Sequence, residues 1–381
     1  LLFYIVVDSL SFESPSQIFL LKIENRVFIL YNNINVEVKR MKLCRTEDAV
    51  GQVLCHDITQ IIPGVVKDAV FRKGHIIREE DIPVLLSVGK EHIYVWENDE
   101  KMLHENEAAD ILYHICKGEG MYGTDVKEGK IELIAERDGV LKIDREKLRR
   151  VNSLGEMMIA SRHGDFPVRK GEKIAGTRVI PLVIEKEKME KAKEVTEGGP
   201  IFWILPYQTK KIGIVTTGSE VYKGRIKDAF TPVLQRKFAE YGMEIKRQLL
   251  VGDEHEKITE AIQDMIAEGM DLVVCTGGMS VDPDDRTPLA IKNTGAEIVT
   301  YGAPVLPGAM FLLAYADGNV PILGLPGCVM YAKRTIFDLV LPRILAGEKL
   351  TREEFDRLGE GGLCLNCSVC TFPNCGFGKG V

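Results

Sequence analysis

Four short stretches of this 381-residue chain carry the residue types that hold an anionic ligand: Thr216-Thr217-Gly218-Ser219-Glu220, Val251-Gly252-Asp253-Glu254, Thr276-Gly277-Gly278-Met279-Ser280 and Pro326-Gly327. Glycine lets a backbone approach a ligand closely, hydroxyls and exposed amides donate to phosphate, and a helix starting nearby adds favourable charge. One such loop is a weak signal, because turns use glycine anyway. Four of them, each closing an apolar run, form a pattern. Carboxylates accompany them at Glu220, Asp228, Asp253, Asp282, Asp284 and Asp285. Hard oxygens of this kind suit Mg²⁺, which neutralises ligand phosphates. Asp253 and Asp285 each also precede a predicted helix, so N-capping is the alternative role for both.

The second constellation is Cys364-x2-Cys367-x2-Cys370-x4-Cys375, four soft ligands within twelve residues, set among Gly359, Gly361, Gly362 and Gly376. Such spacing suits an iron-sulfur cluster, although its third gap is longer than in the bacterial ferredoxin run, and zinc is the alternative. A stapled tail without redox role stays open as well. Cys44, Cys55, Cys116 and Cys275 are scattered and read as packing residues. Cys328 follows the Pro326-Gly327 turn and is either reactive or buried. The seven histidines show no paired metal spacing, and no nucleophile elbow is present.

The elements that must position these residues change character along the chain. Asp81 to Gly89 reads as a short helix with Asp81 as cap, Pro83 in the first turn and Gly89 as terminator. Residues 130–135 and 139–143 are strand-like, with Gly164, Gly171 and Gly176 at turns, and residues 185–197 form a charged, solvated helix. After Lys210 the pattern becomes strand, loop and helix in repetition. Apolar runs at 211–215, 245–251 and 271–275 alternate with helical spacing at 231–241 and 255–268. That alternation predicts a parallel sheet covered on both faces, with ligands at the carboxyl ends of its strands.

Charge and composition narrow the functional classes. Lys and Arg number 49 against 56 Asp and Glu, a formal net charge of -7, which argues against bulk attraction to nucleic acid or an anionic membrane. With 45% hydrophobic and 28% charged residues the chain suits globular cores. No uninterrupted apolar stretch approaches the roughly 20 residues that span a bilayer, so a cytoplasmic protein is expected. The expected organisation is an upstream extension over 1–40 ahead of Met41, an α+β domain over 41–122, a mainly β domain and linker over 123–205, an α/β domain over 206–347 and a cysteine-rich metal-binding tail over 348–381.

Thr217-Gly218-Ser219-Glu220, Gly277-Gly278-Met279-Ser280-Val281, Asp285-Arg286-Thr287-Pro288, Pro307-Gly308 and Leu325-Pro326-Gly327, in that order and spacing, resemble the molybdopterin-binding domain shared by molybdopterin adenylyltransferases and molybdenumtransferases. The resemblance implies a three-layer parallel-sheet domain that binds molybdopterin or its adenylate, with Mg²⁺. It implies acidic catalytic roles for Asp253 and Asp285. Thr216 to Glu220, Asp228, Gly277 to Ser280, Asp282, Pro326 and Gly327 would then contact the pterin and its phosphate. It also implies a homo-oligomer, molybdate as co-substrate and a molybdoenzyme client. Leu306 and Ala309 flank Pro307-Gly308 where the molybdenumtransferase usually carries lysines, and Cys328-Val329 replaces the usual Asn-Pro. Two functions are therefore expected as alternatives: a transferase acting in molybdenum insertion or adenylation, and a noncatalytic molybdopterin carrier or redox- or metal-responsive accessory protein.

Overall fold

The computed structural model describes residues 19–23, 26–31, 34–37, 41–62, 66–96, 101–280, 282 and 285–380. The chain divides into two compact units, residues 1–103 and 104–381. Most of the expected extension over 1–40 lies outside the described residues; within it, Phe19–Ile23, Arg26–Tyr31 and Ile34–Glu37 pair antiparallel.

In the first unit, Met41–Arg45 pairs with His92–Trp96 and Ile58–Ile62 with Val66–Phe71. Leu54, Ile58, Ile77, Leu85, Ile93 and Val95 form its core. The helix expected from Asp81 onward spans Ile82–Ser87, with Pro83 in its first turn. Asp81 does not cap it. Its carboxylate accepts the Arg78 N–H at 2.9 Å and meets His75 Nε2 at 2.6 Å, which closes the short 3-10 turn preceding the helix.

The second unit opens with the helix Glu105–Cys116, followed by the expected β-rich region. Lys130–Ala135 and Gly139–Ile143 form as read from the sequence, the first in a four-stranded antiparallel sheet and the second between Pro167–Val168 and Phe202–Pro206. The charged helix spans Lys186–Val195 and is not wholly solvated, because Met189 and Ala192 are buried.

The six-stranded sheet of this unit comprises β1 (Ile212–Thr217), β2 (Ile245–Val251), β3 (Leu272–Thr276), β4 (Glu297–Tyr301), β5 (Leu312–Ala316) and β6 (Val320–Leu325), in the order β2-β1-β3-β6-β5-β4. Every residue of β1 and β3 is buried, as continuous apolar runs require of strands covered on both faces. Helices α1 (Phe230–Ala239) and α4 (Ile336–Leu345) pack Leu234, Phe238 and Phe337 against Ile214 and Val274. Helices α2 (His255–Ala267) and α3 (Thr287–Asn293) pack Ile262, Met265 and Ile291 against Val215 and Val273 on the other face. Cys275 belongs to that second core, and burial pushes its thiol up to about 12.

The expectation of a purely parallel sheet is corrected. Strands β2, β1, β3 and β6 are parallel, but β5 runs antiparallel to both β6 and β4. Only Asp317-Gly318-Asn319 joins β5 to β6, with Asn319 at φ +63°, and so short a link reverses a chain but cannot cross over, which takes a dozen or more residues. Two reversals return β4 to the direction of β6. The connections leaving β1, β3, β4 and β6 therefore all emerge at one edge of the sheet.

Charged side chains tie the β-rich region to the six-stranded region. Lys142 bridges Asp165 and Glu348, and Arg343 Nε lies 2.9 Å from the Glu348 carboxylate. Burial pushes the Asp165 carboxyl up, yet the charges of Lys142 and Arg343 and hydrogen bonds from Lys142 and Arg145 outweigh it and hold the group below its ordinary value. A carboxyl lower in the folded than in the unfolded chain contributes its full stability above the unfolded value, about 3.9, and loses it as pH falls through the folded one. Asp165→Asn should lower the denaturant midpoint at neutral pH and lessen its further fall at about pH 3.

Candidate functional site

The apolar run of β1 carries Thr216 and Thr217 to the carboxyl edge, where both are buried. Gly218, at φ +130°, then turns the chain into the short helix Ser219–Tyr222, and a Cβ there would touch the Glu220 and Val221 side chains at 3.9 and 4.0 Å. Two neighbouring connections close on this turn, and the end of β4 closes on the second of them. The Ser219 N–H donates to Asp253 Oδ2 at 2.9 Å, fastening the loop after β2. Thr217 Oγ1 lies 3.3 Å from Thr287 Oγ1, and Thr287 Oγ1 donates to the Gly277 carbonyl at 2.8 Å, fastening the loop after β3. Met279 is buried, its sulfur packed over Gly324 of β6, and the Tyr301 hydroxyl at the end of β4 donates to the Met279 carbonyl at 3.3 Å.

At the head of the glycine loop, Thr276 is fully buried and its Oγ1 has no hydrogen-bond partner among the described residues. Buried hydroxyls are nearly always paired, so this one is an exception at the root of the loop junction. Pro326 is buried and Gly327 exposed at the end of β6. Glu220, Ser280 and Asp282 are exposed, and the Asp285 N–H donates to the Asp282 carbonyl at 2.9 Å. Asp284, with Val281 and Pro283, lies outside the described residues.

Capping does not account for the two central carboxylates. Helices α2 and α3 begin after Glu254 and Arg286 with no side-chain cap, so Asp253 instead fastens the β1 turn. Asp285 faces Tyr301, whose phenol is pushed up first by burial and then by that carboxylate. Asp228 does serve a helix start. It accepts the Phe230 and Thr231 N–H groups at 2.8 and 3.2 Å, the Thr231 hydroxyl at 2.5 Å and the Gln248 amide at 2.7 Å. Burial pushes its carboxyl up, but those hydrogen bonds prevail and hold it below the usual range. Gln248 also donates to Thr216 Oγ1 at 3.2 Å.

Gln248 and Tyr301 are site residues that sequence reasoning did not identify, and Thr287 was quoted only as part of a motif. Tyr301 becomes visible only once residues 297–301 are recognised as a strand pointing the same way as β6. Burial pushes the Cys328 thiol up, away from the reactive thiolate form, and the residue is half-buried. The tail cysteines Cys364, Cys367, Cys370 and Cys375 are unpaired and together line one cavity of about 240 Å³, separate from the loop junction. Among the described residues no three His, Cys, Asp or Glu side chains close tightly enough to hold a single metal ion.

Residues 213–346 fit the family described as "Probable molybdopterin binding domain", and residues 43–97 fit a "Domain of unknown function (DUF8806)". The molybdopterin molybdenumtransferase of Staphylococcus epidermidis is 25% identical over 309 residues, spanning 77% of this chain and 68% of that protein. A CinA-like protein of Mycobacterium avium is 33% identical over 90 residues, which is 23% of this chain and 21% of that protein. The solved molybdopterin biosynthesis enzyme MoaB of Thermus thermophilus is 21% identical, with a TM-score of 0.30, and the match covers 37% of this chain and 98% of that one. The loop junction at the carboxyl edge thus lies within residues 213–346, the stretch that matches the probable molybdopterin-binding domain found in molybdenum-cofactor biosynthesis proteins.

Proposed function

We propose that the loop junction binds molybdopterin or its adenylate, and that the protein acts on it in molybdenum insertion as a molybdenumtransferase-like enzyme. The observation that carries this is the closure of the turns after β1, β2 and β3 and the end of β4 around the buried, partnerless Thr276 hydroxyl. The glycine turn at Gly218, with nearby hydroxyls and amides, suits a ligand bearing a phosphate. Asp253, one of whose oxygens accepts the Ser219 N–H, and Asp285, which caps no helix, fit a Mg²⁺ held by two carboxylates together with ligand phosphates. Mg²⁺ there would neutralise phosphate charge; the chain's own loops bind and orient the ligand. Among the described residues no helix is long and apolar enough to cross a membrane. The proposal extends to a cytoplasmic homo-oligomer that serves a molybdoenzyme client.

A second reading, a noncatalytic carrier, is favoured by one observation. The Pro307-Gly308 turn is flanked by exposed Leu306 and by Ala309, so no lysine beside it is available to hold molybdate. Incubation with molybdopterin, Mg²⁺-ATP and molybdate separates the cases: formation of the adenylate identifies an adenylyltransferase, its consumption a molybdenumtransferase, and binding without change a carrier. Asp285→Ala should abolish turnover with an unchanged circular dichroism spectrum; full activity of that variant removes the enzyme assignment. Thr276→Val keeps the shape and deletes an unpaired hydroxyl, so its Tm should equal or exceed that of the parent, while molybdopterin affinity falls roughly fivefold to tenfold, the value of one hydrogen bond. A calorimetric titration with molybdopterin reads this directly, and unchanged affinity would remove Thr276 from the site.

A further inference from the structure

We infer that Cys364, Cys367, Cys370 and Cys375 bind a polynuclear iron-sulfur cluster, rather than one zinc ion, at the same edge of the sheet as the loop junction. The segment that carries them is seated on the core of the second unit. Phe377 is buried, and the Phe372 ring lies 5.9 Å from Phe166 and 6.2 Å from Phe377. The Gly378 N–H donates to the Gly361 carbonyl at 2.9 Å, so the segment closes on itself around the cysteines. Arg162 Nη2 fastens Asn374 at 2.8 Å. These contacts hold the backbone of the segment that carries the four cysteines, and site ligands are best placed on such anchored chain.

Size decides between the two classes of metal. Tetrahedral zinc draws four sulfurs to about 2.3 Å from one point and leaves no free volume between them. Here the four cysteines line a shared cavity of about 240 Å³, which leaves free volume between them. A cluster of several iron and sulfide atoms fills such a space, and each thiol gives up its proton on ligation.

Charge agrees. Lys333 Nζ donates to the carbonyls of Cys367 and Ser368, each at 2.9 Å, and Lys333 and Arg334 both line the cavity. Arg334 is anchored over the Phe372 ring at 5.0 Å. These fixed cations offset the negative charge of four thiolates.

The position follows from backbone pairing. The Leu306 N–H donates to the Gly362 carbonyl and the Cys364 N–H to the Leu306 carbonyl, both at 2.8 Å. Leu306 lies in the connection leaving β4, and Lys333 and Arg334 lie in the connection leaving β6. Both connections emerge at the carboxyl edge that carries the loop junction.

The test uses the full chain purified without oxygen, with iron, zinc and acid-labile sulfide measured before and after anaerobic reconstitution with iron and sulfide. The expected result is iron and sulfide in equal amounts, about four of each per chain, with a visible charge-transfer band. Cys367→Ser and Cys370→Ser, both at exposed positions, should stay folded by circular dichroism and lose at least about tenfold of the iron, whereas Cys328→Ser should keep it. One zinc per chain without sulfide, no metal after reconstitution, or full iron in Cys367→Ser and Cys370→Ser would each overturn the cluster. None of these outcomes depends on pterin binding.

Discussion

Gly277→Ala should destabilise the second unit by about 3 kcal/mol and abolish measurable molybdopterin binding. Gly277 sits at φ +89°, where a residue with a side chain carries roughly 1–2 kcal/mol of strain. Its Cβ would also stand 2.4 Å from the Thr217 carbonyl oxygen and 2.7 Å from Thr217 Oγ1. The carbonyl belongs to the end of β1 and cannot swing aside as a flexible side chain could. Relief would have to separate the turn after β1 from the turn after β3, breaking the Thr287 to Gly277 hydrogen bond that joins them. A loss of this size corresponds to a fall in Tm of roughly 6–12 °C. Gly176→Ala is the matched control, since Gly176 lies inside the strand Lys173–Val179 and a Cβ there meets nothing within 4 Å. Thermal melts of the two variants, with a pterin titration of each, check the prediction.

Asp338→Ala should cost about 3–5 kcal/mol, the usual consequence of stripping the partner from buried cations. Asp338 is 3% exposed and Lys237 7%, and their 2.6 Å contact lies between α4 and α1. The same carboxylate receives Arg334 Nη1 at 2.8 Å and the Thr335 N–H at 2.8 Å, completing the cap at the start of α4. Burial opposes the charge on Arg334, but Asp338 and Glu240 prevail and push that guanidinium further up. Removing Asp338 leaves one buried ammonium without its carboxylate and frees the arginine that lines the cysteine cavity. The double variant Asp338→Ala with Lys237→Met should recover a large part of the loss, because no unpaired ammonium then remains. Denaturant unfolding of the single and double variants measures the difference; equal midpoints would show that the pair contributes no coupling.

Much of the six-stranded region was legible because burial on both faces leaves a direct trace in sequence. Ile212 to Val215 and Leu272 to Cys275 are unbroken apolar runs, and both became inner strands. The edge strand β2 alternates half-buried and exposed residues, although its sequence, Ile-Lys-Arg-Gln-Leu-Leu-Val, shows no such alternation. Strands β4 and β5 were not recognised. Glu297–Tyr301 lies at the other edge with mixed exposure and so lacks a continuous apolar signature, and its place beside β5 depends on pairing across the chain. That omission hid the sheet's mixed direction and, with it, Tyr301.

The candidate site divides in the same way. Its glycines and hydroxyls announce themselves locally, because a turn at φ +89° or +130° admits little else. Which carboxylate does what is not local. Asp253, Asp285 and Asp228 all precede helices, yet of the three only Asp228 accepts the N–H groups of a helix start, while Asp253 joins a turn 34 residues away. The cysteine spacing was equally plain, but its burial against Phe166 and its pairing with Leu306 come from contacts that no spacing encodes.

Hydrogen-deuterium exchange of the full chain, with and without molybdopterin, tests most directly whether the turns at the carboxyl edge form one ligand site. Protection on binding should appear together in residues 216–220, 276–280 and 326–327 and at Tyr301, and should vanish in Gly277→Ala. Protection confined to one of these segments, or found only on other parts of the chain while molybdopterin is bound, would contradict the shared site.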